Sequence, residues 1–412
     1  MALAVIELAA GSLIGFLLGY LVCLSGLAFF DRGIPHARGP GLKRFVCIIP
    51  AHNEETVLER TVRSVTSGDY PAGRLRVIVV ADNCTDRTAD VARSAGAAAW
   101  ERHDTALKGK GHALRWCFDR LAGSGEEYDA VVVVDADSEV SADFFRVLNL
   151  YLENGARVVQ AADIVRPRPG IWSSEITRAG FTLYNVARPL GRKSIGCSAG
   201  LRGNGMCFSR EILAAVPWSA YSLAEDLEYG IVLLLHGVPV TFAPEARVIA
   251  TMPAEARHAE SQRARWEAGR LPVIRRYAPL LAREIVKEKS FRLFDALLDL
   301  LMPPLVTMLA FVSLLAGTHL LLAAAGWTAA LPYALMWIGI LALGISHALL
   351  GLIAVRADKS LYRALLYVPW YAAWKLMLYG RLILRGTPQR WIRTAREAGD
   401  PRFHDFSHRS TH

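Results

Sequence analysis

Val131–Val140, VVVVDADSEV, is an uninterrupted apolar run that stops at two carboxylates, Asp135 and Asp137. Four consecutive valines predict a strand buried on both faces, the habit of mainly parallel sheets covered by helices. Two like charges two residues apart at such a strand end are unfavourable unless a cation stands between them. A hard divalent ion, Mg²⁺ or Mn²⁺, suits carboxylate oxygens and shares its remaining positions with water and substrate phosphates. Asp135 and Asp137 are therefore candidate metal ligands, and a phosphorylated substrate is implied. Taken alone, the pair reads equally well as solvated caps of a helix beginning near Ser141.

The same pattern extends outward from this strand. RFVCIIP (Arg44–Pro50) and LRVIVVA (Leu75–Ala81) are further apolar strands. Glu54–Ser67 carries Val57, Leu58, Val62 and Val65 at helical spacing, and TDRTADVARSAG (Thr85–Gly96) reads as a second helix. Alternating strands and amphipathic helices from Arg44 to about Ala250 define an α/β, Rossmann-like domain with a mainly parallel sheet. Ligands of such sheets bind beyond the carboxyl ends of the strands. The polar clusters PAHNEE, DNCTD and DADS lie at those ends and converge on one crevice.

Three other stretches offer chemistry. In SLAEDLEYG, Ser222 and Glu225 have capping-box spacing, so Glu225 reads as a helix cap. Asp226 is then left without capping duty, and a carboxylate at a helix start is a reasonable general base for a hydroxyl. QRARW places Gln262, Arg265 and Trp266 on one helical face, where an amide, a guanidinium and an indole suit a diphosphate and a sugar ring. A basic interfacial helix with an anchoring Trp would have the same pattern. Lys110, in KGKGHAL, sits in a Gly-containing turn before a helix and is a candidate phosphate neighbour. It belongs to no P-loop, since the G-x-x-x-x-G-K-[ST] spacing is absent. GLRGNG (Gly200–Gly205) is no dinucleotide fingerprint, and its glycines point to close backbone approach to a ligand.

The chain has 412 residues, 53% of them hydrophobic, and a formal charge of +9. Leu8–Phe30 is long enough to cross a bilayer and lacks a basic leader, which predicts an uncleaved anchor. Arg32, Arg38, Lys43 and Arg44 follow it and only Glu7 precedes it, so the N-terminus is expected outside and the domain in the cytoplasm. After Pro253 a basic amphipathic segment suits an anionic membrane face. Two further apolar runs follow, roughly Leu300–Ala325 and Tyr333–Val355, near spanning length. Leu361–Leu384 contains Arg363, Lys375 and Arg381 and is expected to lie at the interface or re-enter, with the tail cytosolic. The expected units are an anchor (1–31), a catalytic domain (44–252), interfacial helices (253–295), two spans (296–356) and an interfacial helix with a tail (357–412). The six cysteines show no C-x-x-C spacing and are expected reduced, without zinc.

In order, IIPAHNEE, VVADNCTD, KGKGHAL, VVVVDADS, GNGMCF, AEDLEYG and QRARW resemble membrane-bound family 2 glycosyltransferases with the GT-A fold. Cellulose, hyaluronan and chitin-oligosaccharide synthases and ceramide glucosyltransferases belong to that family. The resemblance implies that Glu55 and Asp82 hold the uridine of a UDP-sugar, with Ala51 and Asn53 in the same turn. It implies that Lys110 lies near the diphosphate, that Asp135 and Asp137 bind Mg²⁺ or Mn²⁺ and the UDP-sugar, and that Asp226, with Glu225 beside it at the substrate, is the base. It places Gln262, Arg265 and Trp266 over the diphosphate and at the acceptor entrance, and makes Trp391, Ile392 and Arg393 a gating contact. Haloacid-dehalogenase-type phosphatases also end a strand in D-x-D, but on the first strand of their domain, whereas two strand–helix units precede it here. Ala224 stands where processive synthases carry Thr, while the complete Q-R-x-R-W motif is common in polymer synthases.

The expected function is inverting transfer of a hexose or N-acetylhexosamine in exopolysaccharide synthesis. A glycolipid-forming enzyme and an inactive nucleotide-binding membrane scaffold are the alternatives. The expected partners are the UDP-sugar, a saccharide or lipid acceptor, membrane lipids of a bacterial inner membrane and a second copy of the chain, with no nucleic acid.

Overall fold

The computed structural model describes residues 2–31, 33–36, 41–167, 172–250 and 256–371; side chains of residues 2–3, 172–173 and 256–268 lie outside that description. Eight strands form its sheet: β1 Phe45–Ala51, β2 Leu75–Asp82, β3 Ala98–Arg102, β4 Ala130–Val133, β5 Ser138–Val140, β6 Val158–Val165, β7 Met206–Ser209 and β8 Thr241–Ala250. Their spatial order is β3-β2-β1-β4-β7-β6-β8-β5. β1 to β4 run parallel, with Phe45 opposite Leu75 and Ala130. β7 is antiparallel to both its neighbours, and β6 and β8 are parallel to each other.

Alternation along β1 explains why the strand is apolar throughout. Val46 and Ile48 face one core, with Leu114 and Phe118 of α4 (Lys110–Ala122). Phe45, Cys47 and Ile49 face the other, with Val62 of α2 (Leu58–Thr66) and Phe144 of α5 (Phe144–Glu153). A strand sandwiched this way has no solvent face on which to spend a polar residue. α3 (Thr88–Ser94) covers β2 and β3, and Trp218 packs at 4.4 Å from Tyr229 on α9 (Glu225–Leu235).

Two boundaries differ from the sequence expectation. The VVVV strand ends at Val133, and Asp135 and Asp137 lie in the turn to β5, closed by the Ser138 N–H donating to the Asp135 carbonyl at 3.1 Å. The helix expected from Glu54 begins at Leu58 because Asn53 takes a left-handed conformation (φ 57°). Asn83, after β2, does the same (φ 51°). Asparagine is among the few side chains that tolerate this region, so both strand ends turn sharply into the crevice.

Helices α6 (Trp172–Thr182) and α7 (Arg188–Ser194) are joined through a π-helical turn, Leu183–Ala187. α8 (Arg210–Ala215) follows β7; α10 (Ala256–Glu288) and α11 (Phe291–Leu301) follow β8. Among the described residues, three segments are long and apolar enough to cross a membrane: Ala4–Phe30, Leu305–Ala324 and Thr328–Ala354. They comprise α1 (Ala2–Leu27), α12 (Leu305–Ala324) and α13 (Leu331–Ala354), which pack around Leu18, Val312 and Trp337. The Ser25 hydroxyl lies 2.7 Å from His347 Nδ1, joining α1 to α13, and Glu7 lies 3.1 Å from His319 Nε2 on α12. Of the expected interfacial segment Leu361–Leu384, α14 (Lys359–Leu365) covers the start. Residues 372–384 and the tail contact at Trp391, Ile392 and Arg393 lie outside the described residues.

α7 presses directly on the first apolar helix. A Cβ on Gly191 would lie 2.2 Å from the Leu24 carbonyl oxygen, a backbone atom that cannot swing away. Gly191→Ala should therefore cost about 1–3 kcal/mol by forcing the helices apart. The expected outcome is a lower unfolding midpoint with easier proteolysis between α1 and β1; an unchanged midpoint would refute this contact.

Candidate functional site

Lys110, the first residue of α4, reaches across the ends of β1 and β4. Its Nζ donates to Asp135 Oδ1 at 2.5 Å and to the Gly203 carbonyl at 2.6 Å, and Glu225 Oε1 is 3.9 Å away. Burial alone would lower the ammonium's pKa, but Asp135 and Glu225 outweigh it and hold Lys110 above its ordinary value. One cation thus ties together the turn after β4, the GLRGNG loop and the start of α9.

That loop needs its glycines. Gly203 has φ +81°, and a Cβ there would sit 3.1 Å from Asp226 Oδ2. The left-handed backbone strains any other residue there and a Cβ would press on the carboxylate, so Asp226 lies against bare peptide. Asn204 Oδ1 accepts the Asp135 N–H at 3.1 Å, and its Nδ2 donates to Ser138 Oγ at 2.9 Å. Ser138 Oγ in turn donates to Asp137 Oδ1 at 3.2 Å. Gln160 on β6 completes the frame, donating to the Asn204 carbonyl at 2.7 Å and accepting the Arg202 N–H at 2.9 Å.

A third carboxylate, Asp163 on β6, is buried behind the half-buried pair. Burial, then the charges of Asp135 and Asp137, push its carboxyl well above the usual range. Asn204 and Asn185 donate to it at 3.4 and 3.3 Å. This basin has a surplus of negative charge with Lys110 at its edge. Among the described residues no three His, Cys, Asp or Glu side chains are grouped to hold a metal ion. Two carboxylates are nonetheless the usual protein contribution to a magnesium-type site that is completed by phosphate and water. Asp135 and Asp137 fit that donor set.

The first two strand ends form the other wall. Asn53 Oδ1 accepts the Thr85 N–H at 2.7 Å, and Glu55 Oε2 accepts the Arg87 N–H at 3.0 Å, so PAHNEE and DNCTD are clipped together. His52 Nδ1 lies 2.7 Å from the Asp82 carbonyl, which assigns the proton to that nitrogen. Asp82 is buried, and its Oδ1 accepts from Arg102 at 2.6 Å and from Asn83 at 3.0 Å. The structure thus brings Ala51, Asn53, Glu55, Asp82, Lys110, Asp135, Asp137, Glu225 and Asp226 to one end of the sheet. The backbone of Gln262, Arg265 and Trp266 lies in α10, while their side chains fall outside the described residues.

One expectation is overturned. Ser222 and Glu225 form no capping box: Ala224 is the N-cap, and the Ser222 N–H donates to Glu228 Oε2 at 3.2 Å. Glu228 is buried and also accepts from Arg276 and Tyr277, both at 3.2 Å, so the cap partner comes from one turn further on. Glu225 is released to face Lys110. Sequence reasoning missed Arg102, Gln160 and Asp163 in strands, Asn204 in a Gly-rich loop and Asn185 in the π-helical turn, none of which lies in a motif with a spacing signal. Beside the cluster, Tyr221 stacks on His112 at 4.5 Å, and a cavity of about 170 Å³ opens between this tyrosine and α10.

Burial pushes the Glu225 carboxyl up to about 7, with Lys110 opposing and Asp226 adding to the rise. Burial likewise raises Asp226. A buried acid with a raised folded-state pKa keeps a proton that the unfolded chain has already lost, so stability falls as pH rises from about 4.5 through about 7. The unfolding midpoint should decline across that window, and Glu225→Gln should flatten the decline. A wild-type slope retained in the variant would remove Glu225 from this role.

Residues 40–269 match the family described as glycosyltransferase like family 2, and the chain belongs to it. A probable glycosyltransferase YdaM of Bacillus subtilis (strain 168) is 29% identical over 281 residues, 64% of this chain and 64% of that protein. A beta-monoglucosyldiacylglycerol synthase of Synechocystis sp. is 31% identical over 211 residues, 46% of this chain and 40% of the relative. The chain therefore spans less than two thirds of the length of these relatives. The structure of mannosyltransferase PcManGT from Pyrobaculum calidifontis, in complex with GDP-Man and Mn²⁺, superposes with a TM-score of 0.54 at 20% identity. It covers 85% of this chain and 98% of that one, a likeness of fold. The fold is GT-A.

Proposed function

We propose that this chain transfers a sugar from a UDP-sugar to the hydroxyl of a lipid at the membrane surface, with inversion at the anomeric carbon. The observation that carries the reading is the Lys110 bridge, which sets a phosphate-seeking cation 2.5 Å from Asp135 and beside the half-buried pair Glu225 and Asp226. Asp82, Glu55 and Asn53 border the nucleotide, and Lys110 faces the diphosphate, a role the family resemblance also gives to Arg265. Asp135 and Asp137 would hold Mg²⁺ or Mn²⁺. When bound, such an ion supplies positive charge to a departing diphosphate.

Asp226 accepts the acceptor's hydroxyl proton as that oxygen bonds to the anomeric carbon. The bond to the diphosphate breaks, and its electron pair leaves on UDP. Single displacement turns an α-linked donor into a β-glycoside. The raised pKa of Asp226 strengthens it as a base, a contribution of roughly 10²- to 10⁴-fold. Asp226→Asn should keep UDP binding and lose transfer by at least that range; near-normal turnover would refute the assignment. Chelation with EDTA should stop transfer, and added manganese or magnesium should restore it; activity that persists in EDTA would argue against the metal.

The lipid acceptor is favoured by three apolar helices among the described residues, few for enclosing a polymer path, and by Ala224 in place of Thr. Relatives named as glycolipid synthases support the same choice. Exopolysaccharide synthesis stands as the second reading, supported by the complete Q-R-x-R-W motif. UDP release across a donor panel selects the sugar. With that donor labelled, membranes should then yield a solvent-extractable lipid; an insoluble labelled polymer would support the second reading instead. In either case the expected topology is an outer N-terminus and a cytoplasmic domain.

A further inference from the structure

α7 places two arginines one turn apart on the face toward the apolar helices, and their situations differ sharply. Arg192 is saturated: it donates to Asp295 at 3.1 Å, pairs with Asp299 at 2.9 Å and reaches the Tyr20 hydroxyl at 3.3 Å. Arg188 is 4% exposed and forms no hydrogen bond or ion pair among the described residues; its Nε is buried without a partner. Its guanidinium lies 5.3 Å from the Tyr184 ring, and that of Arg202 lies 4.3 Å from the same ring. A guanidinium stacked on an aromatic face keeps its in-plane N–H groups available for an anion. The carboxylate acting most strongly on Arg188, Asp299, already pairs with Arg192 and Arg202. Burial draws Arg188 down to about 10, with Asp299 opposing.

Three buried guanidiniums thus share two carboxylates, Asp295 and Asp299, leaving one positive charge over. An unpaired buried charge is costly, and a counter-ion or an anionic ligand would relieve it. The position indicates which. Arg202 precedes Gly203, against which the Asp226 carboxylate rests, and its charge acts on Asp226. On the other side, the π-helical turn bearing Tyr184 packs on the apolar helices: a Cβ on Gly351 would meet Leu183 at 2.6 Å and Ser25 at 3.2 Å. The surplus of carboxylates lies on the donor side of Asp226 and the surplus of guanidiniums on the side of the apolar helices.

We propose that Arg188 and Arg202, which share the Tyr184 ring, bind the phosphate of an acidic lipid acceptor and so bring a head-group hydroxyl a few bonds away to Asp226. The idea rests on the glycosyltransferase reading for its acceptor step, but the phosphate site can be tested without turnover. The full chain in neutral detergent is heated with dihexanoylphosphatidylglycerol or with inorganic phosphate. Wild type should gain several degrees with the lipid and little with equimolar phosphate. Arg188→Met, freed of an unpaired charge, should begin at a higher midpoint than wild type and gain less than half as much from the lipid. A lower starting midpoint with an undiminished lipid gain would make Arg188 structural and overturn the site, and an equal gain from inorganic phosphate would overturn the lipid.

For transfer, vesicles of dioleoylphosphatidylglycerol and of dioleoylglycerol are supplied with the labelled donor selected by UDP release. Wild type should label the acidic lipid preferentially, and Arg188→Met should raise its KM at least tenfold while moving that of the neutral lipid less than twofold. Preferential labelling of dioleoylglycerol, or an equal loss on both lipids, would overturn the acceptor assignment. Loss of UDP release with every donor would instead sink the glycosyltransferase reading, leaving the thermal result to decide the phosphate site.

Discussion

The Lys110 ammonium is the point on which the site turns. It holds together three segments far apart in sequence: the turn after β4, the loop at Gly203 and the start of α9. Several carboxylates crowd a small, poorly hydrated volume there, and Coulomb repulsion at low dielectric is steep. A single fixed cation makes such a cluster tolerable without neutralising it. The negative surplus that remains gives the basin its demand for further positive charge, and this sets Asp135 and Asp137 apart from ordinary surface acids.

Around that bridge the scaffold uses backbone more than side chains. Gly203 lets Asp226 rest on peptide, Asn204 ties the loop to the turn after β4, and Gln160 ties it to β6. Asn53 and Asn83 turn the chain sharply after β1 and β2. These residues contribute direction rather than reactivity. On the proposed mechanism a carboxylate displaced by an ångström would lose its acceptor hydroxyl, and the polar contacts near the site hold position.

Much of this was legible in the residues themselves. β1, β2 and β4 are unbroken apolar runs, because strands buried on both faces have no alternative, and their polar ends marked the crevice. β6, β7 and β8 were not legible. β7 has only four residues, β8 carries Pro244, Glu245 and Arg247, and β6 carries Gln160 and Asp163, whose polarity serves the site rather than the sheet. The capping box at Ser222 failed for a related reason. The spacing S-x-x-E describes local backbone, whereas Glu228 is selected by tertiary partners on α10. Asp163 and Asn185 carried no signal, since neither lies in a motif and each acquires meaning only from the neighbour it meets.

The π-helical turn at Leu183–Ala187 has a consequence for how this chain can vary. A π turn accommodates an extra residue within a helix, and losing one residue there would rotate everything after it by about 100°. Arg188, Gly191 and Arg192 would leave their faces together, taking the ion pairs with α11 and the close fit to α1 with them. Substitutions along this segment can be absorbed one at a time, but its length cannot change. The turn works as a fixed gauge between the catalytic sheet and the apolar helices, and homologues that keep this seam should differ here in composition and not in residue count.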